Sequence, residues 1–335
     1  MSTLKAGTSA GNRSTVGTQS FGRSGWLLCG PAVLLMFVIL LLPIAVAAVL
    51  SFSSYSLGNP GFDWVGWDNY QSIFSRSTYK KMFAATFTYV LVVVPVSVLL
   101  GLAVALLINS LKLGQELYKT IYFLPVMAAL LAMAIVWEFA LHPTIGIVND
   151  SLAAACEIPV AYALLTGSWL GFDPLTSWFG SACADSFPHW LGSKHYALGT
   201  ICFIGIWQVF GFNMVLYLAG LTGIPRELYH AAEIDGVRSG WERFRLVTWP
   251  MLGPTTVFVV TITTIRSFQV FDTVEALTSG GPAKSTYVMM YAIFEKAIRQ
   301  NLIGAGAAIT VVFLIFVMAL TLLQRWFVER RVHYS

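Results

Sequence analysis

Six stretches of this chain run for the length of a bilayer without a single Asp, Glu, Lys or Arg: 26–50, 82–111, 120–137, 195–225, 246–265 and 300–324. A spanning helix needs about 20 mostly apolar residues. Charged residues make up only 11% of the chain and hydrophobic ones 57%. A soluble fold of this length has too few polar groups here to cover its surface. Intrinsic disorder is excluded too, because disordered chains are poor in apolar residues. The apolar runs are continuous rather than alternating, so they read as helices and not as strands of an outer-membrane barrel. The expectation is an all-α membrane protein with six transmembrane helices, at about 27–51, 84–110, 118–141, 196–221, 250–277 and 302–326.

A seventh apolar stretch, 158–172, is short and interrupted by Pro159, Gly167 and Gly171. It suits an interfacial or re-entrant segment rather than a span. Residues 1–24 are rich in Ser, Thr and Gly and read as a disordered cytoplasmic tail ahead of a membrane domain at 25–335. The first apolar run is too long for the core of a signal peptide and is kept as an anchor. With both termini inside, the cytoplasmic segments hold 12 Lys and Arg and the opposite side 7, with Arg266 left inside a span. This bias gives an N-in, C-in reading. The connection 142–195 then lies outside and 222–249 inside.

The inside connection between spans four and five is the most informative segment. Pro225 suits the start of a short helix that continues through Glu233. Ala231 and Ala232 let another chain come close, and Gly236 allows a sharp reversal. A second short helix with Trp241, Phe244 and Leu246 follows, ending before Pro250. The run from His230 through Ala231, Ala232, Glu233, Ile234 and Asp235 to Gly236 resembles the EAA motif of ATP-binding-cassette importer permeases. Tyr122, Phe123, Leu124 and Pro125 in span three fit the same family. So do Pro143 to Asn149, and the run from Phe271 and Asp272 through Gly280 and Gly281 to Pro282. The likeness runs from about residue 26 to the C-terminus and is nearest to the carbohydrate-uptake group, which includes maltose-type and glycerol-3-phosphate-type membrane subunits. There are two departures. His230 stands where the family usually has the first Glu, and the spacing from Gly236 to Pro250 is one residue longer than usual.

The resemblance implies a type I importer permease bundle in a bacterial inner membrane. It implies that Glu227, His230, Ala231, Ala232, Glu233, Asp235 and Gly236 dock in a groove of a cytoplasmic ATPase. Two such ATPases bind ATP and Mg. A second, homologous permease and an extracytoplasmic binding protein complete the assembly, surrounded by membrane lipid and with no nucleic acid. This chain has no phosphate-binding loop of its own and is not the ATPase. The implied role is half of a pathway for a sugar, oligosaccharide, polyol or glycerol phosphate.

Polar groups inside spans usually face a bundle interior or a watery cavity. Gln208 and Asn213 in span four, and Arg266, Gln269, Phe271 and Asp272 in span five, are the candidate pathway residues. Arg266 has two readings: contact with an anionic substrate such as a phosphorylated polyol, or pairing with Asp272 or Glu275. Cys156 and Cys183 share the outside loop, where a bridge and two free thiols are both open readings. Cys29 and Cys202 lie in spans and read as small packing residues. The five His and four Cys show no metal-ligand spacing, and no nucleophile–base arrangement stands out. Two rival classes remain. An integral membrane enzyme needs a paired acid or base, for which only Glu138 and His142 offer a spacing. A secondary, ion-coupled transporter needs more spans and inverted repeats.

Overall fold

The computed structural model of the chain describes residues 22–58, 61–111, 113–156 and 188–329. Among them the regular elements are helical, and extended backbone pairs only in one isolated bridge, Ser53 with Trp64. In chain order, the helices that carry the argument are α1 (Cys29–Leu50), α2 (Ser77–Ser110), α3 (Gln115–Met127), α4 (Leu130–Ala140), α5 (Ile147–Cys156) and α6 (Ala197–Thr222). They continue as α7 (Arg226–Ile234), α8 (Gly240–Arg243), α9 (Gly253–Phe268), α10 (Asp272–Leu277), α11 (Met289–Phe294) and α12 (Ile303–Glu329). By length and composition α1, α2, α6, α12 and the α9–α10 pair can each cross a membrane.

The expected third span differs from a straight helix. It is the pair α3 and α4, bent by 97°. Pro125 removes a backbone donor from the last turn of α3, and Ala128 and Ala129 are extended. Span five is also interrupted: Gln269 and Phe271 leave helical geometry between α9 and α10. Irregular backbone inside a membrane is tolerated where it is buried in protein or lines a cavity. The expected tail is helical from Gly22. Its first 21 residues, the stretch 158–172 and Cys183 lie outside the described residues.

By packing, the chain divides into Met1–Val46 and Ala47–Ser335. In the first unit the helix surface is apolar and exposed, with Leu34, Phe37 and Ile39 all uncovered. That is the surface a lipid-facing helix needs. Cys29 there is exposed, whereas Cys202 on α6 is buried as a packing residue.

The second unit is built on α2 and α6. Along α2 the buried positions Met82, Tyr89, Val93, Ser97, Leu102 and Ala105 recur at helical spacing, while Leu91, Leu99 and Leu107 form an exposed stripe. Asn213 on α6 was expected in the pathway. Instead it is fully buried. Its Nδ2 donates to Ser97 Oγ on α2 at 3.3 Å, and its Oδ1 accepts from Thr263 Oγ1 on α9 at 2.8 Å. A buried amide bonded on both sides is polar glue between three helices, and at 0% exposure it is shut off from the cavity.

The connection from α10 to α12 folds back through α11 and a π-helical turn, Glu295–Arg299. Tyr287 donates its hydroxyl to Glu295 Oε2, and Lys284 Nζ reaches the same oxygen at 3.2 Å. Burial raises the pKa of Glu295, but these two partners outweigh it and hold the carboxyl below its ordinary range. A depressed carboxylate contributes stability that is present above its unfolded pKa, about 4.3, and is lost as pH falls through the lower folded value. Glu295→Gln is therefore expected to lower the thermal midpoint at neutral pH. The gap to wild type should close below about pH 4. Midpoints that run parallel across that window would remove Glu295 from the acid response.

Candidate functional site

Two features of this architecture bring the sequence-derived residues together. The first is a helical hairpin between α6 and α9. Pro225 sits at the N-cap of α7. The helix ends in a Schellman reversal: Val237 N–H bonds to Ala232 C=O at 3.0 Å and Gly236 N–H to Glu233 C=O at 3.2 Å. Gly236 takes φ +91°, a left-handed value that other residues adopt only with strain. Ser239 then caps α8 in a reciprocal box with Glu242. A π-helical turn, Phe244–Thr248, follows α8, and helix resumes at Trp249–Met251. The second helix thus continues through Pro250 rather than stopping before it.

Arg243 closes the hairpin with a 2.8 Å ion pair to Glu233. His230 Nδ1 lies 3.8 Å from the same Glu233. A Glu at 230 would place a second carboxylate beside Glu233, so His is the better tolerated residue in this setting. Ala232 is buried under the hairpin, while Glu227, His230, Ala231, Asp235 and Gly236 are exposed. Ile234 is 87% exposed and Trp241 68%. Leu228, Ala231, Ala232, Asp235, Val237 and Leu246 border a surface cleft of about 440 Å³. Tyr229 and Thr248 share a hydroxyl–hydroxyl bond of 3.2 Å, which ties α7 to the turn leading into α9.

The second feature is a cavity of about 270 Å³ at the break between α9 and α10. It collects Gln208, Arg266, Gln269, Phe271 and Asp272, five of the six expected pathway residues. Tyr89, Val126 and Ser267 also line it. Nothing in the sequence pattern singled these out, because each sits in a run of ordinary span residues. Arg266 does not pair with Asp272 or Glu275. Glu275 is held by Arg299. The Arg266 guanidinium instead lies 4.2 Å from the centroid of the Phe212 ring, a cation–π stack. Among the described residues no cluster of His, Cys, Asp or Glu fits a metal ion.

The arrangement is a set of apolar spans with a polar cavity at a broken helix and a surface hairpin between two of the spans. Residues 75–333 match the family described as binding-protein-dependent transport system inner membrane component. The chain is 27% identical over 311 residues to the sn-glycerol-3-phosphate transport system permease protein UgpA of Agrobacterium fabrum, covering 92% of this chain and 96% of that one. It is 30% identical over 312 residues to the lactose transport system permease protein LacF of Rhizobium radiobacter, covering 92% and 95%. Its fold matches a chain in the crystal structure of a bacterial alginate ABC transporter in complex with an alginate pentasaccharide-bound periplasmic protein. That match has a TM-score of 0.73 at 19% identity, over 93% of this chain and 97% of the other. The chain belongs to the family of inner-membrane components of binding-protein-dependent transport systems, as a multi-pass, non-catalytic permease subunit of the ATP-binding-cassette class.

Proposed function

We propose that this permease forms half of the membrane pathway for a sugar, oligosaccharide, polyol or glycerol phosphate, and takes its energy from an ATPase docked on the 226–251 hairpin. The observation that carries the reading is the mechanical continuity between hairpin and cavity. The Tyr229–Thr248 bond ties α7 to the helical turn that leads into α9, and α9 ends at Arg266 and the cavity. A force on the hairpin therefore reaches the cavity wall through the short Trp249–Met251 helix, the turn at Leu252 and the length of α9. In this reading both termini and the hairpin face the cytoplasm. ATP and Mg belong to two partner ATPases. A second, homologous permease supplies the other wall of the pathway, and an extracytoplasmic binding protein delivers the substrate. Relatives support the substrate range, since one is named for glycerol 3-phosphate transport and another for lactose transport.

Affinity purification of the tagged chain from its native host in mild detergent tests the assembly. The expected result is recovery of an ATPase and a second permease, with ATP hydrolysis that rises when the binding protein and its sugar are added. A chain recovered without an ATPase, or transport driven by an ion gradient with no ATP present, would overturn the reading.

A further inference from the structure

We infer that the cavity at the α9–α10 break selects a substrate that carries an anionic group on a hydroxylated body, with Arg266 as the reader and Phe212 as its platform. This rests on the permease reading above and narrows its substrate class. Arg266 lies near the middle of the Gly253–Leu277 span and its side chain is exposed in the single chain. A charge at that depth faces a watery cavity or a partner, not lipid. Among the described residues it has no acidic partner, although Asp272 lines the same cavity.

The Phe212 ring backs the planar guanidinium with its centroid 4.2 Å away, and among the described residues no hydrogen bond occupies the N–H donors. That planar fork matches a carboxylate, phosphate or sulfonate, to which it donates two parallel hydrogen bonds. Among the described residues the amides of Gln208 and Gln269 have no hydrogen-bond partner, and they line the same space. Ser267 lines it too, and its buried hydroxyl has no partner. These groups suit substrate hydroxyls. Asp272 repels an anion and accepts from hydroxyls, so it orients the ligand with the anionic end at Arg266. A neutral sugar satisfies the amides but leaves the Arg266 charge unmatched.

The test uses the purified importer complex without nucleotide. Equilibrium dialysis measures sn-glycerol 3-phosphate, glucuronate, glycerol and lactose on wild type, Arg266→Gln and Arg266→Lys. The two anions are expected to bind about tenfold or more tighter than the neutral pair. Arg266→Gln should erase that preference and leave lactose unchanged, and Arg266→Lys should restore only part of it, since an ammonium has no planar fork. Binding of one anion alone would set the class as phosphate or carboxylate. Equal binding of neutral and anionic probes, no binding of any probe, or a preference that survives Arg266→Gln would overturn the inference. Inorganic phosphate that competes as well as glycerol phosphate would also overturn it, because the site would then read a bare ion. ATPase subunits present in the same preparation separate these failures from a failure of the permease reading itself.

Discussion

Ile234→Asp is expected to cut ATP-driven uptake by about tenfold or more while the permease remains folded. Ile234 closes α7, one residue before the C-cap Asp235 and two before the left-handed Gly236. At 87% exposure its side chain gains almost nothing from the chain's own packing. A surface substitution of that kind changes stability by only about 0.5 kcal/mol. An apolar knob held on a rigid reversal is, however, the type of residue that carries binding energy when a groove closes over it. A carboxylate in the same place would enter that groove without a partner and be desolvated there. Thermal unfolding and gel filtration check that the variant folds. Uptake and co-purified ATPase report the coupling. Ile234→Leu keeps an apolar knob and should retain most activity. Wild-type uptake by Ile234→Asp would show that the ATPase docks elsewhere.

The spans were legible because charge is so costly in a bilayer that its absence marks them directly. Four expected spans correspond to continuous helices, and α2 begins earlier than expected, at Ser77. Its first turns carry Lys80 and Lys81, so a search for charge-free runs skips them although the helix does not. The breaks were harder to see. Pro125 is visible, but the bend falls after it at Ala128 and Ala129, whose side chains carry no signal. The interruption at Gln269 has no Pro or Gly at all. Local propensity therefore does not encode it.

The pathway residues divide along the same physical line. Arg266, Gln208, Gln269 and Asp272 stand out in sequence because a polar group in a span needs an explanation. Asn213 stands out for the same reason, yet its explanation is the bonds to Ser97 and Thr263. Sequence identifies the need for a partner without saying which partner meets it. Phe212 shows the converse. One more aromatic ring in an apolar run carries no signal until Arg266 is seen to lie over it. In the hairpin the turn residues were readable, since Gly236 and Pro225 act through their own backbones. The Glu233–Arg243 pair joins residues on either side of the reversal and depends on it having formed.

Gly211→Ala is expected to be a severely damaging single-carbon addition in the bundle. A Cβ at this position would lie 2.1 Å from the Tyr122 carbonyl oxygen and 3.1 Å from its carbon. Those are backbone atoms of α3, so no side-chain rotation relieves the clash. The helices must separate, and with them the edge-to-face contact of Tyr122 with Phe210, whose ring centroids are 5.9 Å apart. Close approach of backbones through small residues is a main source of attraction between helices in lipid, where apolar burial supplies little. Overpacking of this kind costs about 1–3 kcal/mol. The damage also reaches function, because Val126 on α3 and Gln208 on α6 wall the same cavity from either side of the contact. A lower thermal midpoint and a loss of monodisperse protein should accompany weakened uptake. Gly30→Ala serves as the control, since a Cβ there meets nothing within 4 Å. If both variants unfold like wild type, α3 is free to shift, and the bend between α3 and α4 acts as a joint rather than a fixed corner of the cavity.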